Sequence, residues 1–405
     1  MILANHMSTE QGRMEMNEII IKHVIVHELI KEAQKDFDHS NPYNLRPAEL
    51  DKKNKIVQKL VSDVVTLYGT KGNSAHYGTF ITKKTKTDKN SQDINNSPIP
   101  DLFHHYHQLT ESNSSSFINL SKEIMKEMYL AAKSQLWSSG GYVVFSDYTC
   151  LDLRYLLVTM IKKTNGVTIS ENLEPEEMIH LELNNLNQAA KVNFQYYADY
   201  QNATEEEKKE KSYLSFISKT TGQSAAAYFI AALGCDKGTA SAGATRKLPN
   251  EAKKFFKKHP EIATHADKFR NSLISYLETQ FKDEKSARLS DVEALASSKL
   301  TFLNDEKRDE IVRGLMKHLN SEEIQIPTEF VINKTSLDKI RNVIYKDSNS
   351  QYSFNFDKDL LGVNSDAKIC YDDEMSSLTF NKLPEEAKSK IRQALKEMGI
   401  QFKTE

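Results

Sequence analysis

Hydrophobic positions along the chain change their period several times. The segment 18–28 is rich in β-branched residues and predicts a buried strand. The segment 51–69 instead repeats its apolar residues every three or four positions, which predicts a helix facing the core. The same spacing predicts another helix from Phe117 towards Trp137. The apolar residues of the first predicted helix are Ile56, Leu60, Val64 and Leu67.

Two apolar runs follow Gly140–Gly141 and predict a hairpin-like pair of strands, at 141–148 and 153–161. The stretch 82–116, which precedes them, is rich in Lys, Asn, Ser and Thr. We interpret this stretch as a long surface insertion.

The second half of the chain is predominantly helical in pattern. Residues 213–233 are interpreted as a helix that Gly234 ends, and the amphipathic segment 261–281 predicts another. Ser290 and Glu293 have the spacing of a capping box that opens a further helix. Towards the C-terminus, alternating apolar residues predict short strands before a last helix.

These elements predict an α+β fold with two domains. Residues 1–16 are polar and predict a flexible N-terminal extension. An N-terminal domain with helices and a mixed sheet is expected over 17–200. A helical middle region, a small sheet and a terminal helix are expected over 212–405.

Charge and composition narrow the classes of function. The chain carries 54 Lys+Arg against 56 Asp+Glu, a formal net charge of −2, which excludes a uniformly basic clamp around nucleic acid. Any attraction to DNA therefore has to be local. The apolar runs are far shorter than the ~20 residues of a membrane span, and we expect no membrane partner. The distant Cys150, Cys235 and Cys370 fit the reducing cytoplasm and not a disulfide framework.

No motif of nucleophilic catalysis or nucleotide binding occurs in the sequence, and we expect neither an enzyme nor a cofactor. His104, His105 and His107 form the densest histidine cluster. Because no cysteine partner is near, we interpret the cluster as part of a partly exposed amphipathic segment and not as a zinc site. The carboxylates beside lysines at 206–208 and 283–285 are interpreted as solvated surface. A metal-dependent nuclease, which would cut plasmid only with a divalent ion, is the alternative to that interpretation.

A local excess of positive charge lies near the middle of the chain, with seven basic residues and one acidic residue, Glu251, in one short segment. If the last part of the segment is helical, its four lysines share a broad face opposite Phe255 and Phe256. Such a face is suited to neutralising several phosphates, although charge alone leaves a solvated helix face as the alternative. The small residues before Arg246 are expected to be flexible. The seven basic residues are Lys237, Arg246, Lys247, Lys253, Lys254, Lys257 and Lys258.

Several longer stretches, in the right order along most of the chain, resemble bacterial nucleoid-associated proteins of the NdpA/YejK type. The similar stretches are the opening MNEIIIKHVIVHELI, the run GGYVVFSDYTCLDLRYLLVTMI at Gly140–Ile161, ENLEPEEMIHLELNNL at 171–186, SYLSFISKTTGQSAAAYFIAALGCDKG at Ser212–Gly238, and Phe354–Asp357 followed by Leu360–Gly362.

The resemblance implies a cytoplasmic protein of the nucleoid that binds double-stranded DNA with little sequence preference and has no catalytic residues. It also raises contact with type II topoisomerases as a hypothesis. Arg246 stands where the family pattern has an arginine, whereas Thr221–Gln223 stand where it often has basic residues. The insertion 82–116 is longer than expected for the family.

The main alternative is a protein-interaction module that binds a topoisomerase or another nucleoid protein without touching DNA. The segment Glu171–Glu210 favours it, because its ten acidic residues against three lysines would suit a basic partner surface. The apolar strand pairs raise a homodimer as a further hypothesis.

Overall fold

The chain divides into two compact units, Met1–Asn333 and Lys334–Glu405. The computed structural model describes residues 19–32, 34–35, 39–70, 75–81, 97–109, 113–133, 139–169, 174–181, 188–218, 232–236, 241–349 and 351–400. The predicted extension 1–16 lies outside the described residues.

An antiparallel sheet forms the centre of the first unit. Strands β6 and β7 pair with each other, and the other eight form one sheet in the order β10-β3-β9-β8-β5-β4-β1-β2. The strands in chain order are β1 (Ile20–Leu29), β2 (Tyr43–Asn44), β3 (Ala75–Phe80), β4 (Gly141–Cys150), β5 (Leu153–Ile161), β6 (Lys163–Ile169), β7 (Pro175–Leu181), β8 (Gln188–Asn193), β9 (Leu214–Ser218) and β10 (Cys235–Asp236).

The predicted hairpin is confirmed by strands β4 and β5, which pair antiparallel with Cys150 opposite Leu153. The two residues between them, Leu151 and Asp152, have φ angles of 48° and 63°. A two-residue hairpin loop of type I′ has positive φ at both positions and favours Asn-Gly there. Leu151 therefore holds a strained backbone conformation at an exposed turn.

Helices cover both faces of this sheet. On β4, Val143 and Phe145 pack with α2 and α3, whereas Val144 packs with Val64 and Tyr68 of α1. Successive side chains of a strand point to opposite faces, so burial on both sides explains the continuous apolar runs of β4 and β5. The helices are α1 (Lys55–Thr70), α2 (Ile99–Gln108), α3 (Ser114–Lys133), α4 (Phe194–Gln201) and the single turn α5 (Glu205–Lys208).

Helix α1 confirms the predicted helix and buries Val64 of the predicted stripe, with Leu60 packed beside it, but it leaves Ile56 outside the core. Its buried residues include Val57, Val61 and Val64, whereas Ile56 is 79% exposed. Two apolar stripes adjoin on this helix, and sequence spacing does not say which one meets the sheet. The prediction that Ile56 faces the core is wrong.

The interpretation of 82–116 as a surface insertion is wrong for its second half. Helix α2 buries Phe103 and Tyr106, each only 1% exposed, in the main core. Ile99, Phe103 and Tyr106 have helical spacing, but the polar residues between them concealed it. Residues 82–96 and 110–112 lie outside the described part of the chain.

The predicted helix 213–233 is wrong at its start, because strand β9 occupies Leu214–Ser218. Phe216 and Ile217 are buried in the clusters on opposite faces of the sheet. A short apolar run of this kind fits a buried strand as well as a helix. Residues 219–231 are not among the described ones.

Helices follow the sheet within the first unit, and the predicted helix at 261–281 is confirmed by α7. Helix α8 begins one residue before Ser290, at Leu289, and Arg288 makes no side-chain cap. The predicted capping box is therefore wrong. These helices are α6 (Ser241–Lys258), α7 (Ala266–Lys282), α8 (Leu289–Lys299) and α9 (Asp305–Leu319), and the short strands β11 (Ala287–Arg288) and β12 (Glu329–Phe330) pair beside them.

A buried seam joins the helical region to the sheet. Asn320, which follows α9 and is 1% exposed, accepts a hydrogen bond from the Ala75 backbone N–H (2.9 Å). Its side-chain amide donates to the carbonyls of Ala75 (2.8 Å) and Ile326 (2.6 Å). Tyr77 donates its hydroxyl proton to the main-chain carbonyl of Asn320 (2.8 Å). The seam explains why residues up to 333 form one compact unit, a division that differs from the predicted domains 17–200 and 212–405.

Two histidines of β1 lie in the core. His27 accepts the Arg46 backbone N–H at Nδ1 (3.1 Å). Since the Ser121 hydroxyl donates to the Ile118 carbonyl (2.8 Å), His27 Nε2–H donates to Ser121 (2.9 Å). A proton on Nδ1 would face the Arg46 N–H. Burial, with a smaller repulsion from Lys122, lowers the pKa of His27 from 6.5 to about 4.

The second unit is small and carries an exposed helix. Strands β13 and β14 form a hairpin, and β15 to β17 form a three-stranded sheet. The predicted α+β class is thus confirmed. The elements are α10 (Lys334–Arg341), β13 (Asn342–Lys346), β14 (Ser353–Asp357), β15 (Leu361–Gly362), β16 (Ile369–Asp372), β17 (Ser377–Phe380) and α11 (Glu385–Glu397). Across the described residues, no helix has the length and hydrophobicity needed to cross a membrane.

Candidate nucleic-acid interface

Six of the seven predicted basic residues lie on one side of helix α6, and we call them the basic face. Successive residues turn by about 100°, so the six fall within an arc of about 140° that is about 18 Å long. This length matches about five base pairs of DNA. The basic face consists of one row with Arg246, Lys253 and Lys257 and a second row with Lys247, Lys254 and Lys258.

The start of α6 differs from the prediction. Residues 241–247 form its first turns, so the expected flexible approach to Arg246 is wrong over that range. Lys237 lies outside the described residues. Helical structure from residue 241 onwards means that a helix, which contains Pro249, presents the basic face.

Two phenylalanines pack into the core on the inner side of α6, and this packing turns the basic face away from the core. Phe256 is fully buried and stacks on Phe269 of α7, with ring centroids 4.4 Å apart. Phe255 packs against His318 of α9 at 5.6 Å. The prediction that Phe255 and Phe256 form the buried side is confirmed.

Three of the six cations are ion-paired within the chain. Lys257 and Lys258 are exposed, and the described residues form no ion pair with them. Hydrogen bonding from Lys253 lowers the pKa of Asp267. The pairs are Arg246 with Glu210 (2.5 Å), Lys254 with Glu251 (2.8 Å) and Lys253 with Asp267.

Lys247 is the least available member of the basic face. It is half-buried and donates to the Ile324 carbonyl (3.2 Å), and burial lowers its pKa, as does the nearby Arg246. It lines a cleft of about 220 Å³ whose wall also carries the carboxylates Asp199, Glu210 and Glu323. These carboxylates make the cleft unsuitable for a phosphate group.

Sequence reasoning missed Arg270. This residue of α7 donates from Nε to the side-chain oxygen of Asn250 (3.2 Å), which lies between Arg246 and Lys253 on α6. The interaction places a further guanidinium beside the basic face. No sequence signal marks it, because twenty residues and a helical turn separate Arg270 from Asn250.

The histidine cluster has structural partners. His104 hydrogen-bonds to the Tyr197 hydroxyl (2.9 Å), and His107 stacks on Phe194 with its pKa lowered by burial. His105 is exposed. Among the described residues, no three His, Cys, Asp or Glu side chains converge in a manner that could hold a metal ion.

A buried ion pair in the sheet was also missed by sequence reasoning. Asp147 is fully buried and receives hydrogen bonds from Arg154 (2.6 Å) and from the Tyr106 hydroxyl. The Arg154 guanidinium also lies 4.2 Å from the centre of the Phe194 ring. Since each charge has its partner within the fold, the arrangement is structural.

Comparison with known proteins places the chain in a family. The family model described as nucleoid-associated protein YejK matches residues 25–388. The chain belongs to this family. The resemblance found in the sequence is thus confirmed, and the YejK family indicates a location at the nucleoid, within the cytoplasm, as predicted.

Similar proteins come from several bacteria. A nucleoid-associated protein of Azotobacter vinelandii is 26% identical over 276 residues, which cover 68% of this chain and 75% of that protein. One from Metapseudomonas resinovorans is 25% identical, covering 69% and 77%. One from Pseudomonas aeruginosa is 24% identical, covering 70% and 77%. These names describe association with the nucleoid and mention no reaction.

Proposed function

We propose that this YejK-family protein is not an enzyme and that it binds the backbone of double-stranded DNA through the basic face, with little sequence preference. The observation that supports this is the presentation of six cations on the outer side of one helix whose inner side is packed. Contacts of Lys and Arg with phosphate position a protein on DNA without reading bases.

The ion pairs on the basic face do not prevent binding. The Arg246–Glu210 pair is exposed at both ends, and such a pair contributes only about 0–1 kcal/mol, so a phosphate is able to replace this carboxylate at small cost. Lys257 and Lys258 need no such exchange, and we place them first among the phosphate contacts. Arg246, Lys253 and Lys254 follow after exchange, Lys247 contributes least, and Lys237 stays a prediction.

Fluorescence anisotropy of a labelled duplex across a salt series tests the proposal. Each phosphate contact contributes about 0.9 to the slope of log K against log salt, so Lys257→Ala/Lys258→Ala should lower the slope by about 1.8. The matched control is Lys53→Ala/Lys55→Ala, which removes two exposed lysines near the start of α1. Equal slopes for the two variants would reject the basic face as the contact surface.

The protein-interaction module stays the alternative, with modulation of a type II topoisomerase as its specific form. Pull-down of a topoisomerase from nuclease-treated lysate tests it, because a contact bridged by DNA would disappear. Absence of duplex binding at low salt, together with such a pull-down, would favour this alternative over DNA binding.

We also propose that the protein forms a homodimer. Support comes from the second unit, where Ile391 and Met398 are 48% and 71% exposed. Concentration-dependent sedimentation of the full chain tests self-association separately from DNA binding.

A further inference from the structure

Helices α6 and α9 pack side by side and run in opposite directions. Three contacts set their register, in which residue numbers rise along α6 as they fall along α9. The contacts are Glu251 with His318 (3.7 Å between Oε2 and Nε2), Phe255 with Gly314, and Glu261, just after α6, with Lys307 (3.9 Å between Oε1 and Nζ). The side chains that flank this line of contact on the two helices therefore lie next to each other.

On α6, two lysines of the basic face lie on the solvent side of the contact with α9. Successive helical residues turn by about 100°, so Lys258 and Lys254 lie about 60° and 100° from Phe255 in one sense of rotation. Ala252 and Phe256 lie about 60° and 100° from it in the opposite sense, and both are buried. The core is therefore on one side of the helix pair, and these lysines are on the other.

Helix α9 divides in the same way. Lys317 and Arg313 lie about 60° and 100° from Gly314, in the same sense of rotation as the two lysines of α6. Leu315 and Leu319, which are fully buried, lie in the opposite sense. In an antiparallel pair, the same sense of rotation on both helices points to the same side. The two cations of α9 therefore share the solvent side with the two lysines of α6.

The four cations are also close along the helix axes. In the register of the three contacts, Arg313 is level with the midpoint between Lys254 and Lys258, and Lys317 is level with a point about 3 Å before Lys254. The axes of packed helices lie about 8–10 Å apart. We call these four residues the two-helix patch.

Arg313 and Lys317 are available to an external anion. Both are exposed, and no carboxylate within the described ranges forms an ion pair with either. Glu310 lies about one turn before Arg313 on the same side and pairs with Lys307 (3.1 Å). The unpaired positive charge of α9 thus begins at Arg313 and is nearest to the lysines of α6.

We infer that a DNA duplex bound to the basic face also contacts Arg313 and Lys317, so that its backbone crosses from α6 onto α9. The inference rests on the proposed DNA binding and adds a second helix to the contact surface. A duplex backbone is the occupant that fits, because the two-helix patch is continuous with the basic face through Lys254 and Lys258.

Fluorescence anisotropy of a labelled duplex across a salt series, with the full chain, tests the inference. Arg313→Ala/Lys317→Ala should lower the slope of log K against log salt by about 1.8, since each phosphate contact contributes about 0.9. A fourfold rise in salt should then reduce the affinity about 12-fold less than it does for the wild type. Combination with Lys257→Ala/Lys258→Ala should lower the slope by about 3.6, because the four side chains contact separate phosphates of one duplex.

The matched control is Lys282→Ala/Lys299→Ala. It removes two exposed lysines from the last turns of α7 and α8, which reproduces the change in net charge. It also reproduces the loss of a cation near a helix C-terminus, which is the structural role that Lys317 has in α9. We expect the slope of this control to equal that of the wild type. Thermal melts like that of the wild type confirm the fold of each variant, as expected for exposed positions.

The outcomes separate the inference from the proposal on which it rests. Absence of duplex binding by the wild type at low salt would overturn both. A slope that falls for Lys257→Ala/Lys258→Ala but stays at the control value for Arg313→Ala/Lys317→Ala would overturn the role of α9 alone. Weaker binding by the α9 variant with an unchanged slope would also overturn that role, because a lost phosphate contact always lowers the slope. Either result would favour an acidic protein surface as the partner of Arg313 and Lys317.

Discussion

Replacing Asn320 with leucine should weaken the seam between the sheet and the helical region. The substitution keeps roughly the volume but removes three buried hydrogen bonds, two to Ala75 and one to Ile326. A buried backbone group left without its partner costs about 1–3 kcal/mol, so we expect a loss of at least about 3 kcal/mol in the free energy of unfolding. With an unfolding entropy of about 2.1 cal/mol/K per residue over the 333 residues of the first unit, this corresponds to about 4 °C in Tm.

Differential scanning calorimetry at one fixed scan rate measures this shift. The control is Asn271→Leu at an exposed position of α7, where we expect less than 1 °C. If Asn320→Leu changes Tm no more than the control, the seam contributes nothing and the sheet and the helical region are independent folding units, as the predicted domains implied.

Three further sites each give a testable outcome. His27 is neutral in the fold, with a pKa of about 4, and protonates near pH 6.5 when the chain is unfolded. The free energy of unfolding should therefore fall as pH drops from 6.5 to 4, by at most about 3 kcal/mol. In thermal melts over this pH range, the Tm of His27→Gln should depend less on pH than that of the wild type. Leu151→Asn combined with Asp152→Gly should raise stability by about 1 kcal/mol in urea unfolding, since both residues have positive φ; a loss would contradict the turn geometry. Asp267→Asn releases Lys253 from its ion pair and should tighten DNA binding by up to about fivefold. Fluorescence anisotropy measures this gain, which should be absent when Lys253 is also replaced by alanine.

The candidate site was largely predictable because its pattern is local. Four lysines and two phenylalanines within six residues divide into two sides of any helix, and α6 has that division. What could not be predicted is which cations remain unpaired. Glu210 precedes Arg246 by 36 residues and Asp267 lies on another helix, so only packing brings them to the basic face.

The errors in the fold have a related cause. Periodicity records that apolar residues share a side but not what that side meets, so Ile56 was placed in the core while Val57 and Val61 occupy it. Short apolar runs are also ambiguous between strand and helix, which is why β9 was missed. The burial of Phe103 needed the neighbouring Phe80, Phe194 and Tyr197 rings to become evident.

By itself the sequence determined the α+β class, the β4–β5 hairpin, the two sides of α6 and the resemblance to the YejK family, because these depend on residues close in the chain or on an ordered set of stretches. The tertiary structure alone decided the strand order, the seam at Asn320, the pairing on the basic face and the exposure of α11. Those features depend on contacts between residues tens to hundreds of positions apart, and the free energy of such contacts comes from burial and complementary charge that no local pattern encodes.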